Sequence, residues 1–241
     1  MDSYSLPLVT EQIDDMLWVV RDDLLDGGSK TRFLPYLIGD ADELVFGGPF
    51  CGGAPLALSV IGKQYGRKVT LFYAARKTLH PRQLEAVSNG ATIKEVGPFG
   101  FMSNVQAKAR RYCEETGALF LPLGFDVPEA SKPFIEVMRE VRTRLGFFDQ
   151  VWCAAGSGML ARCLGVAFPD SAIMACAVGL KSRHDNQSLT SNVTIHVSPY
   201  EFKQECKTEC PFPCCPNYDR KAWEMMMDKR SGRVLFWNVM A

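Results

Sequence analysis

The sequence has no excess of either charge, no long apolar run and no low-complexity tract. Its 241 residues carry 27 Lys and Arg against 27 Asp and Glu. This balance argues against a protein built mainly to coat nucleic acid or an anionic membrane, although it is compatible with a local basic groove. No stretch is long enough to cross a bilayer. A hydrophobic content of 47% with 20 Gly and 14 Pro also excludes disorder, collagen and coiled coil.

The sequence does not open with the basic and apolar segments of a secretory leader. Its nine Cys are therefore expected to be reduced thiols of a cytoplasmic protein. Four of them stand close together: Cys206, Cys210, Cys214 and Cys215. Closely spaced thiolates can bind zinc or an iron–sulfur cluster, but this spacing is not a repeated C-x₂-C pair and prolines interrupt it. We favour packing thiols and predict no metal, with a structural metal as the alternative.

Short β-branched or aromatic runs alternate with helical stretches, which is the spacing of βαβ units. The predicted strands are Leu17–Arg21, Glu43–Phe46, Lys68–Ala74, Thr92–Val96, Leu119–Leu123, Val151–Ala154, Ile173–Val178, Val193–Val197 and Arg233–Asn238. The predicted helices are Pro55–Tyr65, Pro81–Ser88, Asn104–Glu115, Lys132–Leu145, Met159–Val166 and Ala222–Lys229. Strands that are apolar at successive positions are typical of parallel sheets covered on both faces, so the predicted fold is α/β. The polar stretch Leu180–Asn192 is predicted to be a long loop.

Open parallel sheets bind ligands beyond the carboxyl ends of their strands. Three loops that follow predicted strands carry glycines or a reactive side chain: Asp22–Lys30, Gly47–Gly53 and Ala155–Gly158. We expect the site to be built from them.

Each loop has a functional and a structural interpretation. Lys30 follows two glycines and could be a nucleophile with a lowered pKa, or a solvated lysine after a turn. The Gly-Ser-Gly turn at 156–158 could bind an anion at a helix N-terminus, or only connect a strand to a helix. The glycines of Gly47–Gly53 could form an anion-binding nest, or a flexible connection. Further along, Asp219 is interpreted as a helix N-cap, and Tyr218 beside it as a core aromatic or a phenol in a site.

Taken together, these segments resemble the fold type II enzymes that depend on pyridoxal phosphate (PLP), nearest the aminocyclopropane-carboxylate deaminase and D-cysteine desulfhydrase branch. Relatives carry a segment of the type R-D-D/E-L…G-G-N-K-x-R, and here residues 21–32 read R-D-D-L-L-D-G-G-S-K-T-R. The Gly-rich phosphate loop of the family falls on residues 155–158. Its late Y-[ETS]-G-K segment falls on residues 218–221, which read Y-D-R-K.

The resemblance implies two open parallel-sheet subdomains with helices on both faces, trimmed because the chain is short for the family. The larger, PLP-binding subdomain is expected at 1–47 and 131–241, and the smaller at 48–130. The resemblance further implies PLP as the cofactor, Lys30 as its Schiff-base lysine and Asp219 facing the pyridine nitrogen. The phosphate loop would comprise Ala155, Gly156, Ser157 and Gly158. A homodimer and a small amino-acid substrate are expected, as is common among relatives.

The chain departs from the family pattern at two places. Relatives carry Q-S-N-H or S-G-N-H where this chain has Phe50-Cys51-Gly52-Gly53. The asparagine that contacts the phenolic oxygen of the cofactor is therefore absent, and Cys51, Gly52 and Gly53 would hold the substrate carboxylate through backbone N–H groups. Phe33 replaces the usual lysine three residues past Lys30.

Asp219 carries the functional prediction. A carboxylate beside the pyridine nitrogen keeps that nitrogen protonated, which favours a full carbanion (quinonoid) at Cα after loss of a proton or CO₂. Lys30 would act as the base and Tyr218 as a second acid or base. We predict a PLP-dependent lyase, deaminase- or desulfhydrase-like or a decarboxylase, that acts on an amino acid or an amino-acid-like group.

Two further interpretations stay open. The substrate could be a larger molecule that bears an amino acid, such as a modified DNA base, although the net charge does not support a nucleic-acid substrate. Alternatively, the protein is a catalytically degenerate member of the PLP fold with a binding or regulatory role.

Overall fold

The computed structural model describes residues 6–97, 100–178 and 189–241. Most of the predicted polar loop Leu180–Asn192 lies outside the described residues. The strands are β1 (Thr10–Asp14), β2 (Leu17–Arg21), β3 (Glu43–Gly47), β4 (Lys68–Ala74), β5 (Thr92–Val96), β6 (Leu119–Leu121), β7 (Gln150–Ala155), β8 (Ala172–Ala177), β9 (Val193–Val197) and β10 (Val234–Asn238). The helices are α1 (Pro35–Ile38), α2 (Gly53–Gln64), α3 (Pro81–Ser88), α4 (Met102–Thr116), α5 (Pro128–Leu145), α6 (Met159–Ala167) and α7 (Asp219–Lys229).

The chain divides into two compact units, residues 1–29 with 131–241 and residues 30–130. The sequence predicted the first boundary after residue 47. The structure divides the chain earlier because β3 pairs in parallel with β4 and β6, so that residues 30–47 lie with the smaller unit. The division at residue 131 falls within the first turns of α5.

The larger unit is built on a six-stranded sheet in the order β1-β2-β10-β7-β8-β9. From β2 to β9 the neighbours pair in parallel, as predicted, whereas β1 pairs antiparallel with β2 across a short turn that the sequence analysis missed. The strands bury successive side chains, and Trp152 and Phe236 pack with Trp223 of α7 in one apolar core. Because β2, β10 and β7 are parallel neighbours, their carboxyl ends meet at the same edge of the sheet.

The smaller unit has a four-stranded parallel sheet in the order β5-β4-β3-β6. Its core includes Val45, Phe72 and Val105, with α4 packed on β3 and β4. The amphipathic helix α3 begins as predicted, since His80 precedes Pro81 and the His80 side chain accepts a hydrogen bond from the Arg82 N–H. Such a capped start with Pro at the first helical position is a strong local signal.

Among the residues that the structure describes, no helix combines the length and the apolar character needed to cross a membrane.

Candidate active site

Lys30 lies in a short 3-10 turn (Gly28–Arg32) that begins after β2 and a preceding turn at Asp22–Leu24. Gly28 has a φ of 72°, and a Cβ at this position would overlap the carbonyl oxygen of Val239, just past β10. The N–H of Ser29 donates to that same carbonyl at 3.0 Å. The residue directly before the lysine is therefore fixed to the carboxyl end of β10, and only glycine allows the close approach at position 28.

A buried polar network holds this turn. The carboxylate of Asp22 is fully buried and accepts hydrogen bonds from Ser29 Oγ at 2.6 Å and from Trp237 Nε1 at 3.0 Å. Trp237 Nε1 also lies 3.2 Å from Ser29 Oγ. Hydrogen bonds to a charged acceptor are about twice as strong as neutral ones, so the network stiffens the segment that presents Lys30. Sequence analysis missed it, because 215 residues separate Asp22 from Trp237.

The Gly-Ser-Gly turn connects β7 to α6, as predicted. Gly158 has a φ of 89° and directly precedes the first helical residue, Met159. Ser157 Oγ accepts a hydrogen bond from the Met159 N–H at 3.4 Å. The first N–H groups of α6 have no partner within the helix and carry the positive end of its dipole. The turn can therefore bind a phosphate group.

Tyr218 lies against this turn. The Gly156 N–H donates to the phenol, and a Cβ at Gly156 would be only 3.0 Å from Tyr218 Oη. Burial, and to a lesser extent the charge of Asp219, raise the pKa of Tyr218 above its usual range. The phenol is therefore neutral near pH 7 and can donate a proton or a hydrogen bond beside the turn.

Asp219 is the first residue of α7, and its side chain is fully buried. The N-cap interpretation of Asp219 is wrong, because Tyr218 occupies the cap position and no side chain caps the helix. The helix dipole still favours a carboxylate in the first turn. Burial, and to a lesser extent the charge of Asp219, raise the pKa of Cys153 on β7, so the carboxylate lies near that strand. A pyridine nitrogen presented to such a buried carboxylate would be held protonated.

The predicted carboxylate-binding residues lie in the smaller unit, at the start of α2. Gly53 is the first residue of that helix, which the sequence predicted to begin only at Pro55. The Gly52 N–H donates to the Pro49 carbonyl at 3.3 Å, so it is already engaged. The remaining donors are those of the first helical turn, whose N–H groups have no partner within the helix. This helix start, rather than all three residues together, can hold a carboxylate.

Two cations beside this segment were not predicted. Arg82 Nη1 donates to the Cys51 carbonyl at 3.1 Å, and the Arg76 guanidinium lies 3.5 Å from the centre of the Phe50 ring. His80 lies on Phe50 as well, with ring centres 5.4 Å apart. These contacts shape the Phe50–Gly53 segment and make its surroundings basic, which suits an anionic substrate group. The only sequence feature that could have indicated these contacts was the number of cationic residues in 76–82.

The predicted site residues thus fall into two groups. Gly156, Tyr218 and Asp219 are brought together at the carboxyl end of the larger sheet, and Ser29 anchors the start of the lysine turn to the same edge. Lys30 and the segment 51–53 belong to the smaller unit. The cysteines at 206–215 are free thiols, and within 6–97, 100–178 and 189–241 no three His, Cys, Asp or Glu side chains are grouped to hold a metal.

The residues gathered at this edge offer what a PLP molecule needs. Its phosphate requires N–H donors, its pyridine nitrogen an acid, and its aldehyde an amine. The turn at 155–158 supplies the donors, and the missing side chain at Gly156 leaves the space that a Cβ would fill. Asp219 would be the acid, and Ser29, anchored at the same edge, directly precedes Lys30, the predicted amine. The turn at 155–158 and Asp219 fit the phosphate and the ring nitrogen of the cofactor.

No protein-family model and no curated protein matches the chain. Among solved structures, an ACC deaminase homologue is similar with a TM-score of 0.78 and 20% identity, covering 93% of this chain and 84% of the other. A threonine deaminase from T.th. has a TM-score of 0.70 and 14% identity over 97% and 91%. A hydrogen sulfide-producing enzyme from Fusobacterium nucleatum has a TM-score of 0.66 and 13% identity over 98% and 94%. The chain has the fold of the fold type II PLP-dependent enzymes.

Proposed function

We propose that the protein is a PLP-dependent lyase that forms a carbanion at Cα of an amino acid or an amino-acid-like group. The observation that carries the proposal is the meeting of three features at one edge of the larger sheet. They are the glycine turn after β7, the buried carboxylate of Asp219 and the anchored segment that leads into Lys30.

In this proposal the phosphate is held by the N–H groups at the start of α6 and by the hydroxyl of Ser157. Gly156 keeps the turn open, and Gly158 supplies the left-handed residue that lets the chain enter the helix. Asp219 holds the ring nitrogen in its protonated form by charge pairing. When bound, PLP serves as the electron sink for the pair left at Cα.

Lys30 has two roles. Its amine would hold the cofactor, and it would also serve as the base that takes the proton from Cα. The Asp22–Ser29–Trp237 network keeps the turn that carries Lys30 in place in both roles. Tyr218 is the second proton carrier, since its raised pKa keeps the phenol neutral and able to protonate a leaving group or Cα.

The substrate carboxylate would be bound at the start of α2, with Cys51 and Gly52 forming the wall before it. A glycine-lined wall holds the carboxylate less firmly than an asparagine and a histidine would. This favours loss of CO₂ as well as elimination or deamination, and it leaves room for a larger substrate such as an amino acid carried on a modified DNA base. We also propose that the protein is cytoplasmic and forms a homodimer.

Borohydride trapping tests the assignment of Lys30. Purified protein is incubated with PLP, reduced and mapped by peptide mass spectrometry. We expect the label on Lys30, no label in Lys30→Ala, and full labelling of Lys132→Ala, which removes an exposed lysine on α5. A label that persists in Lys30→Ala would remove this residue from the mechanism.

The degenerate alternative is favoured by one observation, the absence of the asparagine from Phe50-Cys51-Gly52-Gly53. Proton exchange distinguishes an active enzyme from a degenerate PLP-binding protein without knowledge of the substrate. Loaded protein is mixed with a panel of amino acids in D₂O, and the Cα proton signals are followed by NMR. Loss of a Cα proton or release of CO₂ supports the enzyme, whereas PLP binding without either supports a binding or regulatory protein.

A further inference from the structure

Tyr73 carries a buried hydroxyl in the smaller unit. The residue lies next to the last position of β4 and is only 1% exposed. Within residues 6–97, 100–178 and 189–241, its Oη has no hydrogen-bond partner. Burial raises the pKa of this phenol above its usual range, so at neutral pH it keeps its proton and can donate it to an acceptor. Buried tyrosine hydroxyls are normally hydrogen-bonded, and an exception needs an explanation.

The side chain of Tyr73 faces α2. The ring of the preceding residue, Phe72, packs on Tyr112 of α4, with ring centres 5.6 Å apart. Successive side chains of a strand point to opposite faces of the sheet, so Tyr73 lies on the other face, together with Val69. The helix α2 packs on that face, because a Cβ at Gly62 of α2 would overlap Val69 Cγ2. Tyr73 therefore faces the helix into which the Gly47–Gly53 segment leads.

Tyr73 is level with the first turn of α2. The strands β3 and β4 are parallel, so the helix that connects them runs in the opposite direction along the sheet. From Gly62 back to Gly53 the helix covers about 14 Å, at about 1.5 Å per residue. From Val69 forward to Tyr73 the strand covers about 13 Å, at about 3.3 Å per residue. Because Gly62 adjoins Val69, the phenol and the start of α2 lie at the same end of the sheet.

The start of α2 has few N–H donors for a carboxylate. The Gly52 N–H is engaged by the Pro49 carbonyl, and Pro55, the third residue of the helix, has no N–H. Residues 51–53 add no hydroxyl or amide side chain. A hydroxyl at the same level supplies a further donor. A carboxylate held there in turn supplies the acceptor that the described part of the chain does not give to the phenol.

We propose that Tyr73 is a substrate-binding residue whose hydroxyl donates a hydrogen bond to the substrate carboxylate at the start of α2. This inference rests on the proposed function, in which the same helix start holds that carboxylate. The N–H groups of Gly53 and Ala54 point out of the end of the helix, whereas the phenol comes from the sheet. The carboxylate thus receives donors from two directions. An amine without a carboxylate leaves the phenol unpaired, so the site rejects it.

Tyr73→Phe removes the hydroxyl and keeps the buried ring. We expect this variant to unfold at the same urea concentration as wild type or a higher one, because it loses an unpaired buried oxygen. The PLP-loaded protein is titrated with both enantiomers of alanine, serine and threonine. Tyr73→Phe should weaken the tightest of these complexes about tenfold or more and leave ethylamine, which has no carboxylate, unaffected. The matched control Tyr65→Phe, at the other end of α2, should bind as wild type does. Equal affinities of wild type and Tyr73→Phe for the amino acid, or an equal loss for ethylamine, would overturn the proposal.

The phenol is also observed directly by NMR of full-length protein that carries ¹³C at Cζ of its tyrosines. The signal of Tyr73 is the one that is missing from Tyr73→Phe. Sodium propionate, a carboxylate without an amine, is titrated into the protein with and without PLP. We expect the Tyr73 signal to move and the Tyr65 signal to stay, and a Tyr73 signal that propionate does not move would overturn the proposal. Failure to bind PLP would instead refute the proposed function, and the propionate titration would still decide the role of Tyr73.

Discussion

The network around Asp22 gives a quantitative test of how the Lys30 turn is held. Asp22→Asn keeps the size of the side chain but replaces one acceptor oxygen with a donor. Ser29 Oγ and Trp237 Nε1 both donate to the same oxygen of this carboxylate, Oδ2, in a fully buried place, so the variant turns two charge-assisted hydrogen bonds into neutral ones. A hydrogen bond to a charged group contributes about 1.5–3 kcal/mol, and we expect the free energy of unfolding to fall by about 2–3 kcal/mol.

The free energy of unfolding of wild type and variant is measured by urea unfolding. We expect the dependence of this free energy on urea concentration to be the same for both proteins. The matched control is Asp170→Asn, which breaks an exposed ion pair with Arg142 of 2.6 Å. Such surface pairs contribute about 0–1 kcal/mol. If Asp22→Asn cost no more than this control, the network would not hold the turn. A large loss in stability with unchanged borohydride labelling of Lys30 would equally contradict its positioning role.

Three further predictions concern single positions. Gly156→Ala should weaken PLP binding by about tenfold or more, because its Cβ meets Tyr218 Oη at 3.0 Å, and Tyr218→Phe in the same chain should restore part of the affinity measured by titration. Gly28→Ala should lower the free energy of unfolding, measured in urea, by about 1–3 kcal/mol, because the φ of Gly28 is 72° and the Val239 carbonyl fills the space for a Cβ. A variant as stable as wild type would show that the added Cβ causes no strain. Hydrogen bonds from Cys206, Thr208 and Tyr200 lower the pKa of Glu224 below its ordinary 4.5. The contribution of the Glu224 carboxylate to stability is then complete above pH 4.5 and is lost as the pH falls through the lowered pKa. The difference in free energy of unfolding between wild type and Glu224→Gln should therefore shrink in acid. A difference that stays constant with pH would contradict this prediction.

Local signals in the sequence predicted much of the fold. The bounds of β2, β4, β5, β9 and α3 agree with the structure to the residue, because charged residues or the turn-forming Gly, Pro, Asn and Ser lie at or within two residues of their ends. The antiparallel β1 and the short α1 were missed, since neither has a run long enough to display a period. Asp219 was misplaced by one position, from the cap to the first helical turn, because the same residue type is favoured at both.

The candidate site shows where sequence reasoning reaches its limit. The turns that carry Lys30 and Gly156 could be located because each follows a strand and contains glycine. The partners of those turns could not, because contacts such as Ser29 with Trp237, or Arg82 with Cys51, join residues far apart in the chain. Such pairs depend on the order of the strands in the sheet, which local patterns do not specify.

The antiparallel β1 also has a consequence for folding. It is one of the two edge strands of the larger sheet and covers β2, whose Leu17, Val19 and Val20 are fully buried. Glu11 and Asp14 on β1 pair with Arg21 and Arg230, so the exposed rim of the sheet is acidic and salt-bridged. Open apolar rims template aggregation, and charged outer strands act as gatekeepers against it. A shortened chain that starts at residue 16 should therefore precipitate during refolding even if every residue of the candidate site is present.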